Sequence, residues 1–233
     1  MKYAYRISDL ANKIFSFFKV SFVSIFHEKD FNHSSIPCDW SILPFNRISV
    51  VIFYFKKFSR PVAYLEIGCF NDELFKCLPL GKKIGVDPIS GGTFRNTSDF
   101  FFKNNTSNFD LVFIDGLHHY DQVWRDITNS LSCLSEDGFI LIHDVLPRSF
   151  AEQKIPRLAS EWTGDCWKVL FDIYDNPLLD LSIVSVDHGV AVVSFSSSDK
   201  NVSLSMSYKD VSFDFFLSNI MSIDIVDPYR LFD

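Results

Sequence analysis

Two stretches of this 233-residue sequence concentrate side chains able to do chemistry. In FDLVFIDGLHHYDQVWRDI, residues 109–127, an apolar run ends on Asp115, and His118 and His119 follow at once. In GFILIHDVLP, residues 138–147, a second apolar run ends on His143 and Asp144. Adjacent strands lie about 4.8 Å apart, so carboxylates at the ends of two neighbouring strands converge on one cleft. Three of the six histidines fall beside them. Two carboxylates held this close repel each other unless a cation, a proton or an imidazolium sits between them. The pattern predicts a divalent-metal centre held by Asp115, His143 and Asp144, or a proton-transfer centre with His118 or His119 as base. Imidazole suits the second role because it titrates near neutrality.

A third stretch, YLEIGCFNDELF (residues 64–75), sits where a strand turns into a helix. Gly68 lets a ligand approach the backbone, and the helix start beyond it favours anionic groups. Asp87 lies at the tip of the next apolar run, where a carboxylate can accept hydrogen bonds from ribose hydroxyls. A nicotinamide dinucleotide needs a glycine-rich pyrophosphate turn, and here the turn is Gly68-Cys69-Phe70-Asn71-Asp72, with one glycine. A sulfonium cofactor without phosphates, S-adenosylmethionine, fits a glycine-poor acidic turn better.

Strand and helix signals alternate from residue 61 onward and must position these groups. Apolar runs at 63–67, 83–86, 109–114 and 139–142 read as buried parallel strands, with helices predicted at 72–78 and 120–134. Runs at 181–186 and 190–195 flank Asp187-His188-Gly189 and predict an antiparallel hairpin. The fold class expected is α/β: a doubly wound, mostly parallel sheet finished by a C-terminal hairpin. Residues 1–60 are expected to form an N-terminal helical extension, including a helix over 47–58, and residues 61–233 the catalytic domain. The Ser- and Phe-rich alternation from 202 to 216 is not assigned to an element.

Bulk properties narrow the function. The net charge is −7, but residues 1–60 carry nine Lys/Arg against four Asp/Glu, leaving the body strongly acidic and a poor partner for nucleic acid. Five scattered cysteines without a C-x-x-C pair suit free thiols in a reducing cytoplasm. The apolar run 14–26 contains Lys19 and is too short to span a bilayer. A helix there would pack on the core or on a second copy in a homo-oligomer, with contact to a membrane surface the less favoured alternative. The 26 Phe reflect A/T-rich codon usage or aromatic ligand walls.

The three blocks together, YLEIGCFNDELF, KKIGVDPISGG and residues 109–147, resemble the class I S-adenosylmethionine-dependent methyltransferases of the small-molecule and sugar O-methyltransferase type. That group includes macrolide-sugar methyltransferases and cephalosporin-hydroxylase-like proteins, many encoded among genes for surface polysaccharides. The likeness spans residues 64–147 and is looser over 153–168. It implies a Rossmann-like methyltransferase domain, with Glu66 and Gly68 at the methionine end of the cofactor, Asp87 at the ribose, and Ser98 and Asp99 near the adenine. It also implies a divalent ion at Asp115 and the following acidic pair, here His143-Asp144. An imidazole in place of a carboxylate suits manganese, zinc or iron better than magnesium. The expected activity is O-methylation of a sugar or glycan-precursor hydroxyl. Another metal-dependent enzyme on the same scaffold, hydroxylase-like or hydrolytic, and a non-catalytic subunit remain the alternatives.

Overall fold

The computed structural model describes residues 40–79, 81–197 and 201–232. The predicted amphipathic segment at 14–26 and most of the N-terminal extension lie outside the described residues. Seven strands form one sheet: β1 (Tyr64–Ile67), β2 (Lys83–Val86), β3 (Phe109–Ile114), β4 (Leu134–His143), β5 (Leu179–Val184), β6 (Val190–Phe195) and β7 (Asp224–Val226), in the order β2-β1-β3-β4-β6-β5-β7. The first four pair in parallel. β6 runs antiparallel to both β4 and β5, the hairpin the sequence predicts. β7, with no clear strand signal of its own, adds in parallel to β5.

Side chains alternate across the sheet as the two-residue period of a strand requires. Leu65, Ile67, Val112, Ile114, Ile140 and Ile142 enter one core, Tyr64, Leu111, Phe113 and Leu141 the other. Helix α4 (Tyr120–Ser132) covers the first face with Val123, Ile127 and Leu131, and Trp167 is buried alongside. Helix α1 (Arg47–Phe55) covers the second through Val50, Val51 and Tyr54. Burying each large aliphatic side chain contributes about 1.5–3 kcal/mol, so α1 is a layer of the domain and residue 60 is no packing boundary. Its start is set by Asn46, whose side chain accepts from the backbone N–H of Ile48 and Ser49 while the Ser49 hydroxyl accepts from the N–H of Asn46. The helix ends at Phe55, three residues before the predicted limit.

Between strands lie α2 (Glu73–Cys77), α3 (Ser98–Asn104), α5 (Phe150–Gln153) and α6 (Val169–Tyr174), and the chain ends in α7 (Phe213–Asn219) and α8 (Pro228–Phe232). Among the described residues no helix is long and apolar enough to cross a membrane, and the four described cysteines are free.

Register decides what the sheet presents at its carboxyl edge. Ile67 pairs with Val86 and with Ile114, and Ile114 with Ile142. Gly68, Asp87, Asp115 and His143 therefore leave the strands in one row. His143 pairs in turn with Val190, which brings the β5–β6 turn to the same edge. The row closes tightly at Gly68, where φ is +87° and an added Cβ would stand 2.0 Å from the Asp115 carbonyl oxygen. Gly68→Ala should cost about 3 kcal/mol or more, from left-handed strain plus a backbone clash. Urea unfolding of parent and variant measures this directly; an unchanged midpoint would mean the two strand ends are not locked together.

Candidate active site at the carboxyl edge of the sheet

Asp115, His118, His143 and Asp144 meet at this edge. The Nδ1 of His143 lies 3.1 Å from Asp115 Oδ1, and its Nε2–H donates to the Asp187 carbonyl at 2.6 Å. A carbonyl only accepts, so Nε2 carries a proton. With a carboxylate at Nδ1 as well, the ring is held as an imidazolium. Burial opposes that charge, but Asp144 and Asp115 override it and raise the His143 pKa well above its ordinary value. Burial likewise pushes Asp115 up, and His143 and His118 outweigh it, holding this carboxyl well below the usual range. Asp144 is raised, by burial first, against the pull of the two imidazoles.

His118 occupies the outer side of the pair. Its Nδ1 lies 3.1 Å from Asp144 Oδ2 and 3.3 Å from the Trp162 carbonyl, and its Nε2 3.4 Å from Asp115 Oδ1. The Trp162 indole stacks on the ring. Burial would lower the His118 pKa, and its hydrogen bond to Asp115 and the nearby Asp144 raise it on balance. Gly164, at φ +64°, lets the segment after Trp162 pass directly over the His118 carbonyl, where a Cβ would collide. Asp144 and Asp187 also take left-handed φ values, 61° and 44°. Strain of this kind persists only where surrounding contacts enforce it, and it gathers here.

The sequence-predicted metal set of Asp115, His143 and Asp144 has a neighbouring alternative. Ligand atoms of Asp115, His118 and Asp144 lie within 4.8 Å of one another and can converge on an ion. His143 differs in that its Nε2 is committed to the Asp187 carbonyl, while its Nδ1 faces Asp115. One nitrogen and two carboxylate donors suit manganese or zinc better than magnesium. His119, the other predicted base, occupies the N-cap position of α4 with its ring edge-on to Trp162.

Two cavities flank this centre. The larger, about 440 Å³, is lined by Gly68, Asp87, Ser98, Asp99, Asp115 and Asp126, among others. The smaller, about 190 Å³, has walls from Glu66, Gly68 and Asp115. Every predicted cofactor residue thus lines one of them. Glu66 is buried with Oε2 accepting from the Tyr64 hydroxyl at 2.7 Å, and burial pushes it up to about 7 against that bond. Asp99 accepts from Gln122 and Arg125.

Asp87 differs from expectation. Oδ2 accepts from the backbone N–H of Cys69 and Phe70, and Oδ1 from those of Ile89 and Ser90, all within 3.1 Å. Those N–H groups offset its burial and lower its pKa. The carboxylate therefore clamps the turn after β1 to the loop after β2, and its acceptor positions are filled before any ribose arrives.

Asp126 carries no sequence motif beyond its helical spacing from Gln122, yet it lines the larger cavity. Its Oδ1 accepts from Gln122 at 3.0 Å, its Oδ2 is buried with no partner, and burial pushes it up to about 6. The cavity that Asp126 lines is of a size to hold a nucleoside.

Comparisons with known proteins agree with this architecture. A family model described as a methyltransferase domain matches residues 82–145. The S-adenosylhomocysteine-bound methyltransferase PaMTH1 of Podospora anserina has a similar fold, with a TM-score of 0.50 and 19% identity over 65% of this chain and 78% of that one. A putative O-methyltransferase from Klebsiella pneumoniae gives 0.45 and 14% over 67% and 93%. An O-methyltransferase from Bacillus cereus, solved with S-adenosylhomocysteine, gives 0.46 and 11% over 78% and 90%. No curated protein matches the sequence. The chain has the Rossmann-like fold of the class I methyltransferases. The family-model match spans β2, β3 and β4.

The Asp87 clamp has a measurable consequence. Asp87→Asn replaces two acceptor positions with donors that face backbone N–H groups, and should cost about 1–3 kcal/mol of stability with no ligand present. Thermal unfolding of the ligand-free protein checks it; a variant as stable as the parent would return Asp87 to a purely ligand-binding role.

Proposed function

We propose that this protein is an S-adenosylmethionine-dependent O-methyltransferase acting on a hydroxyl of a polyhydroxylated small molecule, a sugar or glycan precursor. The observation that carries the reading is His118, bracketed by Asp115 and Asp144 at the edge where both cavities share Asp115 as a wall. The larger cavity would take the adenosine and the smaller the amino-acid tail. When bound, the cofactor supplies an electrophilic methyl group on sulfur.

The chain's own residues do the rest. Asp144 and the Trp162 carbonyl hold the Nδ1 edge of His118, and Nε2, 3.4 Å from Asp115 Oδ1, is the nitrogen that would take a proton from an acceptor hydroxyl entering beside Asp115. Asp115 and Asp144 accept hydrogen bonds from that hydroxyl and its neighbours and so orient the oxygen for in-line attack. Near them, Arg148 pairs with Glu152 and Glu161, and the Trp162 indole stacks on His118. The carboxylates Asp115 and Asp144, both able to accept from hydroxyl groups, are what favours a polyhydroxylated acceptor.

A divalent ion on Asp115, His118 and Asp144 is the second reading of the same side chains, favoured by their convergence. It would orient the acceptor oxygen and occupy His118, leaving the proton to solvent or to an acceptor already ionised.

Calorimetric titration with S-adenosylmethionine, S-adenosylhomocysteine and NAD side by side tests the cofactor class; binding of both adenosyl ligands and not NAD is expected, and tight NAD binding would sink the reading.

The pH profile tests the base. His118 is raised above its ordinary value by Asp115 and Asp144, so it becomes an acceptor only as the pH climbs past about 6.5. Turnover should rise with pH through an apparent pKa above that figure. Asp144→Asn removes a negative charge that favours the imidazolium, so the limb should move toward acid, and His118→Ala should slow turnover by about 10²–10⁴-fold. Loss of activity on chelation with recovery on manganese, and no such pH limb, would select the metal reading instead.

A further inference from the structure

The smaller cavity has a charge pattern that the cofactor-binding residues predicted from sequence leave unexplained. Its walls include three carboxylates, Glu66, Glu73 and Asp115, and a single cation, Arg47. The larger cavity, with which it shares Gly68, Phe70 and Asp115, has no Lys or Arg among its lining residues. An adenosyl amino acid ends in an ammonium and a carboxylate. Across both cavities, the described lining offers several partners for the ammonium and one for the carboxylate.

Arg47 is built to present that partner. It is the first residue of α1, fixed by the Asn46 cap and by the burial of Val50 and Val51 one turn on. Its NH1 donates to Asp187 at 2.8 Å, which anchors the guanidinium against the β5–β6 turn. Its NH2 donates to Glu73 at 3.1 Å, and the Glu73 side chain is 56% exposed. Its Nε lies 3.8 Å from Asp115 Oδ2. A guanidinium has five N–H donors in a planar fork that matches a carboxylate, so positions remain after the Asp187 bond is made. An exposed ion pair like that with Glu73 is worth little, and a ligand carboxylate can displace it at small cost.

We propose that Arg47 receives the α-carboxylate of the cofactor's amino-acid tail, with Glu66 facing the ammonium, and that this pair makes the site select adenosyl amino acids over adenosyl compounds lacking the carboxylate. The proposal rests on the methyltransferase reading above. It makes α1 part of the binding site as well as a packing layer. Without the guanidinium, the ligand carboxylate would enter a cavity walled by three like charges, so the penalty falls on that group alone.

The test is calorimetry on the full chain with two probes that share the nucleoside: S-adenosylhomocysteine, which has the amino-acid tail, and 5′-methylthioadenosine, which lacks it. The parent should bind the tailed probe more tightly. Arg47→Ala should weaken S-adenosylhomocysteine by about 10- to 100-fold, the range for a hydrogen bond to a charged group, and leave 5′-methylthioadenosine unchanged. Arg47→Lys, which keeps the charge and loses the fork, should fall between. Equal losses for both probes would make Arg47 a structural residue, and equal affinity of parent and variant for the tailed probe would remove it from the site; either result overturns the assignment alone. A parent that binds neither probe sinks the methyltransferase reading, and this proposal with it.

Discussion

Asp115 and Asp144 are forced close together by strand register and buried where water screens them poorly, and the edge of the sheet is organised around their repulsion. His143 enters as a cation on one side, held by the Asp187 carbonyl, and His118 on the other, held by Asp144 and Trp162. Each imidazole brings a loop with it. The β5–β6 turn is drawn to the edge by His143, and residues 162–165 by His118. Tyr120 extends the second link, its backbone N–H donating to Asp165 at 2.7 Å. Asp187 then reaches Arg47, so α1 is tied electrostatically to the turn. The polar chain from α1 to α4 is a consequence of neutralising two carboxylates in low dielectric.

That arrangement requires backbone conformations most residues avoid. Asp144, Asp187 and His188 all take positive φ. The β4 end turns sharply at Asp144, which lets its carboxylate face back toward His118. Aspartate tolerates this conformation better than most side chains, and the ion pairs around it offset the remaining strain. The stable interior, where buried strand residues alternate cleanly between two cores, supplies the rigidity that holds the strained edge in place.

Periodic and punctuated features of the chain were legible from one dimension. Strands β2 and β3 fall where their apolar runs do, as does the hairpin around Asp187 and Gly189. The clustering of Asp115, His118, His143 and Asp144 followed from assigning each to a strand end. Residues 202–226 were not legible, because α7 and β7 are short and depend on contacts made elsewhere: Phe213 and Phe216 pack against Trp167, and β7 borrows its register from β5. Arg47 gave no signal, since a single arginine opening a helix looks like any solvated charge, and the distance of 140 residues to Asp187 has no local trace.

The sequence by itself determined which residues stand at the carboxyl ends of the parallel strands, because apolar runs stop where the chain leaves the core, and chemistry-bearing groups at those stops must share one edge. It also shows a turn after the first strand with one glycine, Gly68, in place of a glycine-rich pyrophosphate turn. What only the tertiary structure decided is the division of labour among like residues. His118 and not His119 faces the carboxylates, since His119 is the N-cap of α4 and its ring turns toward Trp162. His143 is a buried counter-ion, because the hairpin turn places a carbonyl on its far nitrogen. Asp87 binds backbone, because two loops that meet only in three dimensions aim four N–H groups at it. Side-chain roles of this kind are set by which hydrogen-bond directions remain open, and those depend on neighbours that the chain brings together only on folding.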